Sequence, residues 1–172
     1  PDVGFGFHSV QVASLSLGGG DNSTAVSIKV NAAAILDTGT NILLLPTKVM
    51  SALEQNMCAD SALAKCSDVW ANGGANCQDL TEAQVDAYPN LTMSLGGGGT
   101  SLEMSSRDYL LQGSPLATSA GQYCLGIRDG GSAGGSGFII GDTTMRNYYL
   151  VFDLAEKKIG WGKVNKEACG SV

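Results

Sequence analysis

Phe138-Ile139-Ile140-Gly141-Asp142 runs into Thr143-Thr144-Met145-Arg146-Asn147-Tyr148-Tyr149-Leu150-Val151-Phe152-Asp153 and, after a turn, Lys158-Ile159-Gly160-Trp161-Gly162. The apolar run Phe138–Ile140 and the runs Tyr149–Asp153 and Lys158–Lys163 read as strands, with a short helix over Thr144–Tyr148. Gly141 stands 104 positions after Asp37. That aspartate sits in Ala32-Ala33-Ala34-Ile35-Leu36-Asp37-Thr38-Gly39-Thr40-Asn41-Ile42-Leu43-Leu44-Leu45-Pro46, a carboxylate set between two apolar runs and followed by hydroxyl, glycine and hydroxyl. An ionised Asp in apolar surroundings is expensive unless donors hold it. Thr38, Thr40 and the amide of Gly39 are near enough in sequence to supply them. Asp-Thr-Gly is also a serviceable turn; the apolar flanks are what favour chemistry.

The rest of the chain punctuates in the same β-rich way. Ser9–Leu17, Ala25–Val30, Ala33–Asp37, Leu91–Leu95, Ser101–Met104 and Tyr123–Ile127 are short apolar or alternating runs separated by Gly, Asn, Asp and Ser. Leu17–Asp21 and Gly96–Gly99 read as hairpin turns, and Asp129–Gly137 as a surface loop without the Lys-Ser/Thr of a phosphate cradle. Helices are few. Thr47 is placed to cap Lys48–Met57, where Val49, Met50, Leu53 and Met57 keep helical spacing. Thr81–Val85 and Ser105–Leu111 are shorter candidates, and Cys58–Cys77 reads as a polar excursion closed by a local Cys58–Cys66 bridge.

The 172 residues carry 10 Lys and Arg against 16 Asp and Glu, a net charge of −6, with 44% hydrophobic residues and 24 glycines. A chain near 150 residues can bury roughly 70% of its unfolded surface, so a folded core is expected and bulk disorder excluded. Nucleic acid binding is disfavoured for want of a basic stripe, and Lys157, Lys158, Lys163 and Lys166 read as a solvated face. The apolar runs fall far short of the ~20 residues of a spanning helix. Pro1–Val12 lacks the features of a signal peptide, so the chain reads as part of a longer precursor or a trimmed piece.

Five cysteines without a Cys-x-x-Cys pair, and the single histidine His8, disfavour zinc. No metal or other cofactor is expected, and His8 is assigned no role. Asn22-Ser23-Thr24 and Asn90-Leu91-Thr92 are glycosylation acceptor patterns, and with the cysteines they favour an oxidising, secretory route. Spacing alone leaves the disulfide connectivity open.

The two motifs in this order, with Tyr88-Pro89-Asn90-Leu91-Thr92-Met93 between them, resemble the C-terminal lobe of pepsin-like aspartic peptidases, over about Ser9 to Val164. The resemblance implies a mostly β lobe of a bilobal enzyme, built of barrel-like sheets, a ψ-shaped crossing and a few short helices, with residues 1–172 as the C-terminal lobe and the N-terminal lobe absent. It makes Asp37 one of two catalytic aspartates, with Ile140-Gly141 packing over its loop. Thr38 would join a hydroxyl network between the two catalytic loops, while Thr40 bonds the Asp37 carboxylate. Ile35, Gly39, Thr40, Asn41 and Ile139 match positions that line substrate subsites, Gly39 pairing its backbone with an extended peptide. Asp142 is read as structural.

The same resemblance implies a Cys77–Cys124 bridge. Cys169 is then left over, and a bond to the missing lobe is the expectation for it. Peptide hydrolysis by a water activated between two carboxylates follows, in an extracellular or acidic vacuolar or lysosomal compartment. Two other readings remain: a peptidase-like protein that binds or inhibits without cleaving, and a one-lobe homodimer in which each copy supplies an Asp37.

Overall fold

A computed structural model describes residues 6–18, 26–97, 99–131, 133 and 136–165. The fold is mostly β. Strands β1 (Ser9–Leu17) and β2 (Val26–Leu36) lead to β3 (Leu43–Leu45) and helix α1 (Thr47–Met57). Then come α2 (Cys66–Gly74), β4 (Cys77–Asp79), α3 (Glu82–Asp86), β5 (Leu91–Leu95), β6 (Ser101–Met104), α4 (Ser106–Tyr109), β7 (Leu110–Gln112), β8 (Gln122–Leu125) and β9 (Ile127–Asp129). Strand β10 (Ile139–Ile140), helix α5 (Asp142–Met145) and the hairpin strands β11 (Tyr148–Asp153) and β12 (Lys158–Lys163) complete the described chain.

Seven strands form one sheet in the order β6-β5-β1-β2-β10-β3-β9, beside a three-stranded sheet β4-β8-β7 and the two-stranded β11-β12. The neighbours of β10 fix the topology. It lies between β2 and β3, parallel to the first and antiparallel to the second. The loop that joins β2 to β3, which carries Asp37, therefore spans a strand more than a hundred residues away in sequence. This is the ψ-shaped crossing.

Alternation sorts the side chains. Ala34, Leu36, Leu43, Leu45, Ile127, Phe138 and Ile140 face the core, where α1 adds Val49, Met50, Leu53 and Met57 from one helical face. Phe138 is fully buried, and losing such a ring costs about 3–5 kcal/mol. Disulfides Cys58–Cys66 and Cys77–Cys124 are both present. Cys77 and Cys124 stand directly opposite each other across β4 and β8.

Several boundaries differ from expectation. Of the two expected runs Ala25–Val30 and Ala33–Asp37, Ala25 lies outside the described residues, and Val26–Val30 and Ala33–Leu36 belong to the single strand β2, because Asn31 takes a left-handed φ of 47° and the ladder with β1 shifts register there instead of ending. Asp37 itself lies beyond the strand. Gly126 divides Tyr123–Ile127 between β8 and β9, which sit in different sheets. Thr47 does not cap α1; Pro46 holds the cap position, and the Thr47 hydroxyl donates to Asp129 Oδ1 at 2.8 Å. Thr81 does cap α3, in a reciprocal capping box with Gln84. The excursion Cys58–Cys77 contains α2, which leaves helical backbone at Ala71, and α5 begins two residues before the stretch expected for it. Cys169 and Asn22 lie outside the described residues.

The two bridges close segments of different length, 47 and 8 residues apart. In the chain-entropy picture the longer is worth about 4 kcal/mol and the shorter about 2.5 kcal/mol. Denaturant unfolding of Cys77→Ser/Cys124→Ser should show the larger loss of stability, and Cys58→Ser/Cys66→Ser the smaller.

Candidate active site

Asp37 is positioned by main-chain bonds on both sides. The Ile35 N–H donates to Phe138 O and the Asp37 N–H to Ile140 O, each at 3.1 Å, carrying the parallel pairing of β2 with β10 up to the aspartate. The Leu36 N–H, which points the other way, donates to His8 O at 2.9 Å. Beyond Asp37 the chain turns, and the Thr40 N–H returns to Asp37 O at 3.2 Å. The second half of the loop is held by α5: the Asp142 N–H donates to Thr40 O at 2.8 Å, and Asn41 O accepts from both the N–H and the hydroxyl of Thr143 at 3.1 Å.

Gly141 makes that second clamp possible. A Cβ there would stand 2.2 Å from Thr40 O and 2.3 Å from Ile42 O, far inside contact distance. Only glycine lets the two backbones approach so closely. The sequence reading singled out Gly141, and it missed Thr143 and the carbonyl of Ile42. Thr143 is fully buried with its hydroxyl on Asn41 O, and its place directly after Gly141-Asp142 was the available signal.

The carboxylate has a donor on each oxygen. The Thr40 hydroxyl donates to Oδ2 at 2.6 Å and the Gly39 N–H to Oδ1 at 2.9 Å. These bonds, the hydroxyl's first, hold the Asp37 pKa below the usual carboxylate value against a smaller opposing push from burial. Gly39 has little room for a side chain, since a Cβ would lie 3.2 Å from Oδ1. The result is an ionised, partly exposed carboxylate in a fixed orientation, able to accept a proton or to bind a donor.

The other expected site residues fall around it. Thr38 is exposed, and its hydroxyl makes no hydrogen bond among the described residues. Asn41 is exposed as well, Ile139 is half-buried, and Ile35 is 5% exposed on the sheet face opposite Ala34 and Leu36. His8 serves through its carbonyl, and its ring packs on Phe152 with centroids 4.7 Å apart. Asn90 is half-buried and its amide donates to Glu103 Oε1 at 3.2 Å. Among the described residues no group of three or more His, Cys, Asp or Glu is placed to hold a metal ion.

Residues 5–164 match the family model described as eukaryotic aspartyl protease. The chain belongs to that family. Similar proteins include pepsin A of Sus scrofa, 27% identical over 132 residues, and gastricsin of Homo sapiens, 30% identical over 131. Gastricsin of Suncus murinus is 30% identical over 132 residues. These matches cover 74–76% of this chain but only 29–30% of each relative, so the chain spans under a third of the proteins it resembles. Among the described residues no helix is long and apolar enough to cross a membrane.

Two substitutions probe the site's construction. Thr40→Val keeps the shape and removes the hydroxyl, so the Asp37 pKa should rise, as read by carboxyl NMR titration. Because the native pKa is lowered, the stability it contributes is present above the unfolded value of about 3.9 and is lost as pH falls through the native one; in Thr40→Val that dependence should shrink. Gly141→Ala should destabilise by about 3 kcal/mol or more in denaturant unfolding, since the clash is with backbone.

Proposed function

We propose that this chain is the C-terminal lobe of a two-lobed aspartic endopeptidase and contributes one of its two catalytic carboxylates, Asp37. The observation that carries the reading is the Asp37 carboxylate itself, ionised and aimed by Thr40 and Gly39 in a loop clamped over β10. A partner lobe supplies the second aspartate. Two carboxylates a few ångströms apart share one proton and titrate as a pair, and aspartic proteases are the standard example of that behaviour. The ionised member takes a proton from a water that attacks the scissile carbonyl carbon. The protonated member donates to the carbonyl oxygen as it becomes a hydroxyl. When the C–N bond breaks, the leaving amine takes the proton from the first carboxyl while a hydroxyl of the tetrahedral diol gives its proton to the second as the C=O re-forms, so the shared-proton state returns. No covalent intermediate forms.

Support for a missing lobe comes from the surface as well. Tyr149 is 72% and Val151 52% exposed, on one face of the β11-β12 hairpin, and Leu154 at its turn is 74% exposed. These large apolar groups suit cover by a partner. The unbonded hydroxyl of Thr38 is available to a network between the lobes. Ile35, Gly39, Thr40, Asn41 and Ile139 would line half of an extended peptide's cleft, with Ile35 offering only its edge. Passage through the secretory route, with glycans at Asn22 and Asn90 and Cys169 bonded to the other lobe, belongs to the same reading.

Cleavage of an unfolded protein at acid pH by the two-lobed protein should fall by about a hundredfold or more in Asp37→Ala, on the scale of a lost acid–base group. Unchanged cleavage would remove Asp37 from the mechanism. This chain expressed alone should show none.

A further inference from the structure

Directly paired residues of neighbouring strands share a sheet face. Ile35 pairs with Ile139, Ile139 with Leu44, and Leu44 with Arg128, so one row crosses β2, β10, β3 and β9. The rows beside it, with Leu36, Ile140, Leu43, Leu45 and Ile127, point into the core. The row that ends in Arg128 therefore occupies the opposite face. It begins at Ile35, two residues before Asp37, and includes both isoleucines proposed for the substrate cleft.

Arg128 is out of place in such a row unless something answers its charge. The residue is half-buried, and its Nη1 is enclosed without a hydrogen-bond partner among the described residues. None of the ion pairs among those residues includes it. Burial pushes the guanidinium pKa below its usual value. The other two arginines are provided for: Arg107 bonds Asp86 and Glu82, and Arg146 donates to Asp108 O at 2.7 Å. A partly desolvated, unpaired cation costs stability. An incoming anion offsets that cost only when it is bound, which is a specificity device.

We propose that Arg128 is a specificity-determining residue of the cleft, selecting a substrate side chain that carries a carboxylate. The planar fork of Arg suits a carboxylate in two-point contact, which neither Lys nor an apolar residue reproduces. Three strand spacings of about 4.8 Å separate Arg128 from Ile35, roughly 14 Å in all. The selected side chain is thus displaced from the scissile bond and lies at one position of an extended peptide. The inference rests on the peptidase reading above and adds its substrate class.

The test uses the two-lobed protein and quenched fluorescent peptides that differ only in Glu, Gln or Lys placed at one position at a time. The assay runs near pH 5, where an ordinary Glu of pKa about 4.3 is ionised. At one position Glu should be favoured over Gln by about tenfold or more in kcat/KM, the scale of a hydrogen bond to a charged group. In Arg128→Met that ratio should fall to near one. In Arg128→Glu the preference should pass to Lys, a reversal that loss of folding does not produce. A wild-type protein that cuts Gln and Glu peptides equally at every position overturns this inference alone. So does a Glu preference that survives in Arg128→Met. Failure to cut any peptide overturns the peptidase reading, and this inference with it.

Discussion

The approach of Gly141 to the carbonyls of Thr40 and Ile42 is the contact on which the rest of the site depends. It lets β10 pass under the loop between β2 and β3 and lets the first turn of α5 donate to that loop from below. Asp37 is then fixed from two directions: by the parallel ladder that reaches its own N–H, and by the bonds that Asp142 and Thr143 make to Thr40 and Asn41. Neither support alone would orient the carboxylate, because a turn of this length held at one end pivots. Held at both, it leaves the short bonds from Thr40 and Gly39 to aim the oxygens.

The same crossing couples the core to the surface where chemistry would occur. Ile140 and Leu36 fill the core, while Ile139 and Ile35, one residue away on each strand, face the opposite side. A shift of one residue in either strand would exchange these roles and expose two core side chains. Phe138, buried just before β10, makes such a slip costly. Packing free energy thus protects the register that places Asp37, and the accuracy of the site is inherited from side chains that never touch a substrate.

What was legible in the sequence was what is local. The Asp37 bonds span two and three residues, so Asp-Thr-Gly-Thr between apolar runs announces them. Ser9–Leu17, Leu91–Leu95, Ser101–Met104 and Lys158–Lys163 could be bounded because alternation stops at glycine, a small hydroxyl residue or charge. The rest depends on distance. Strands β3, β4 and β7 are three residues each and exist through partners far along the chain, and Thr47 bonds Asp129 across 82 positions instead of capping its own helix. Asn31 was misread because a polar residue that ends one strand and a polar residue that bulges within one look alike in sequence. Arg128 gave no sign at all, since its meaning lies in the row it joins and not in its neighbours.

Three features at the surface among the described residues share one character. Among the described residues the Asp37 carboxylate has two donors, the Thr38 hydroxyl has no hydrogen-bond partner, and the large apolar side chains of Tyr149, Val151 and Leu154 are exposed. A self-sufficient domain of this size gains nothing by keeping a fixed anion, a free hydroxyl and an apolar strip on its surface. In the proposed two-lobed enzyme all three would have a use, because chemistry between two carboxylates requires that each be rigid before the other arrives. Arg128 extends that logic to the substrate. On the proposed reading, the cation is held at a cost to the free chain so that a carboxylate entering the cleft would gain a full charge partner, and the free energy withheld from folding would become selectivity in binding.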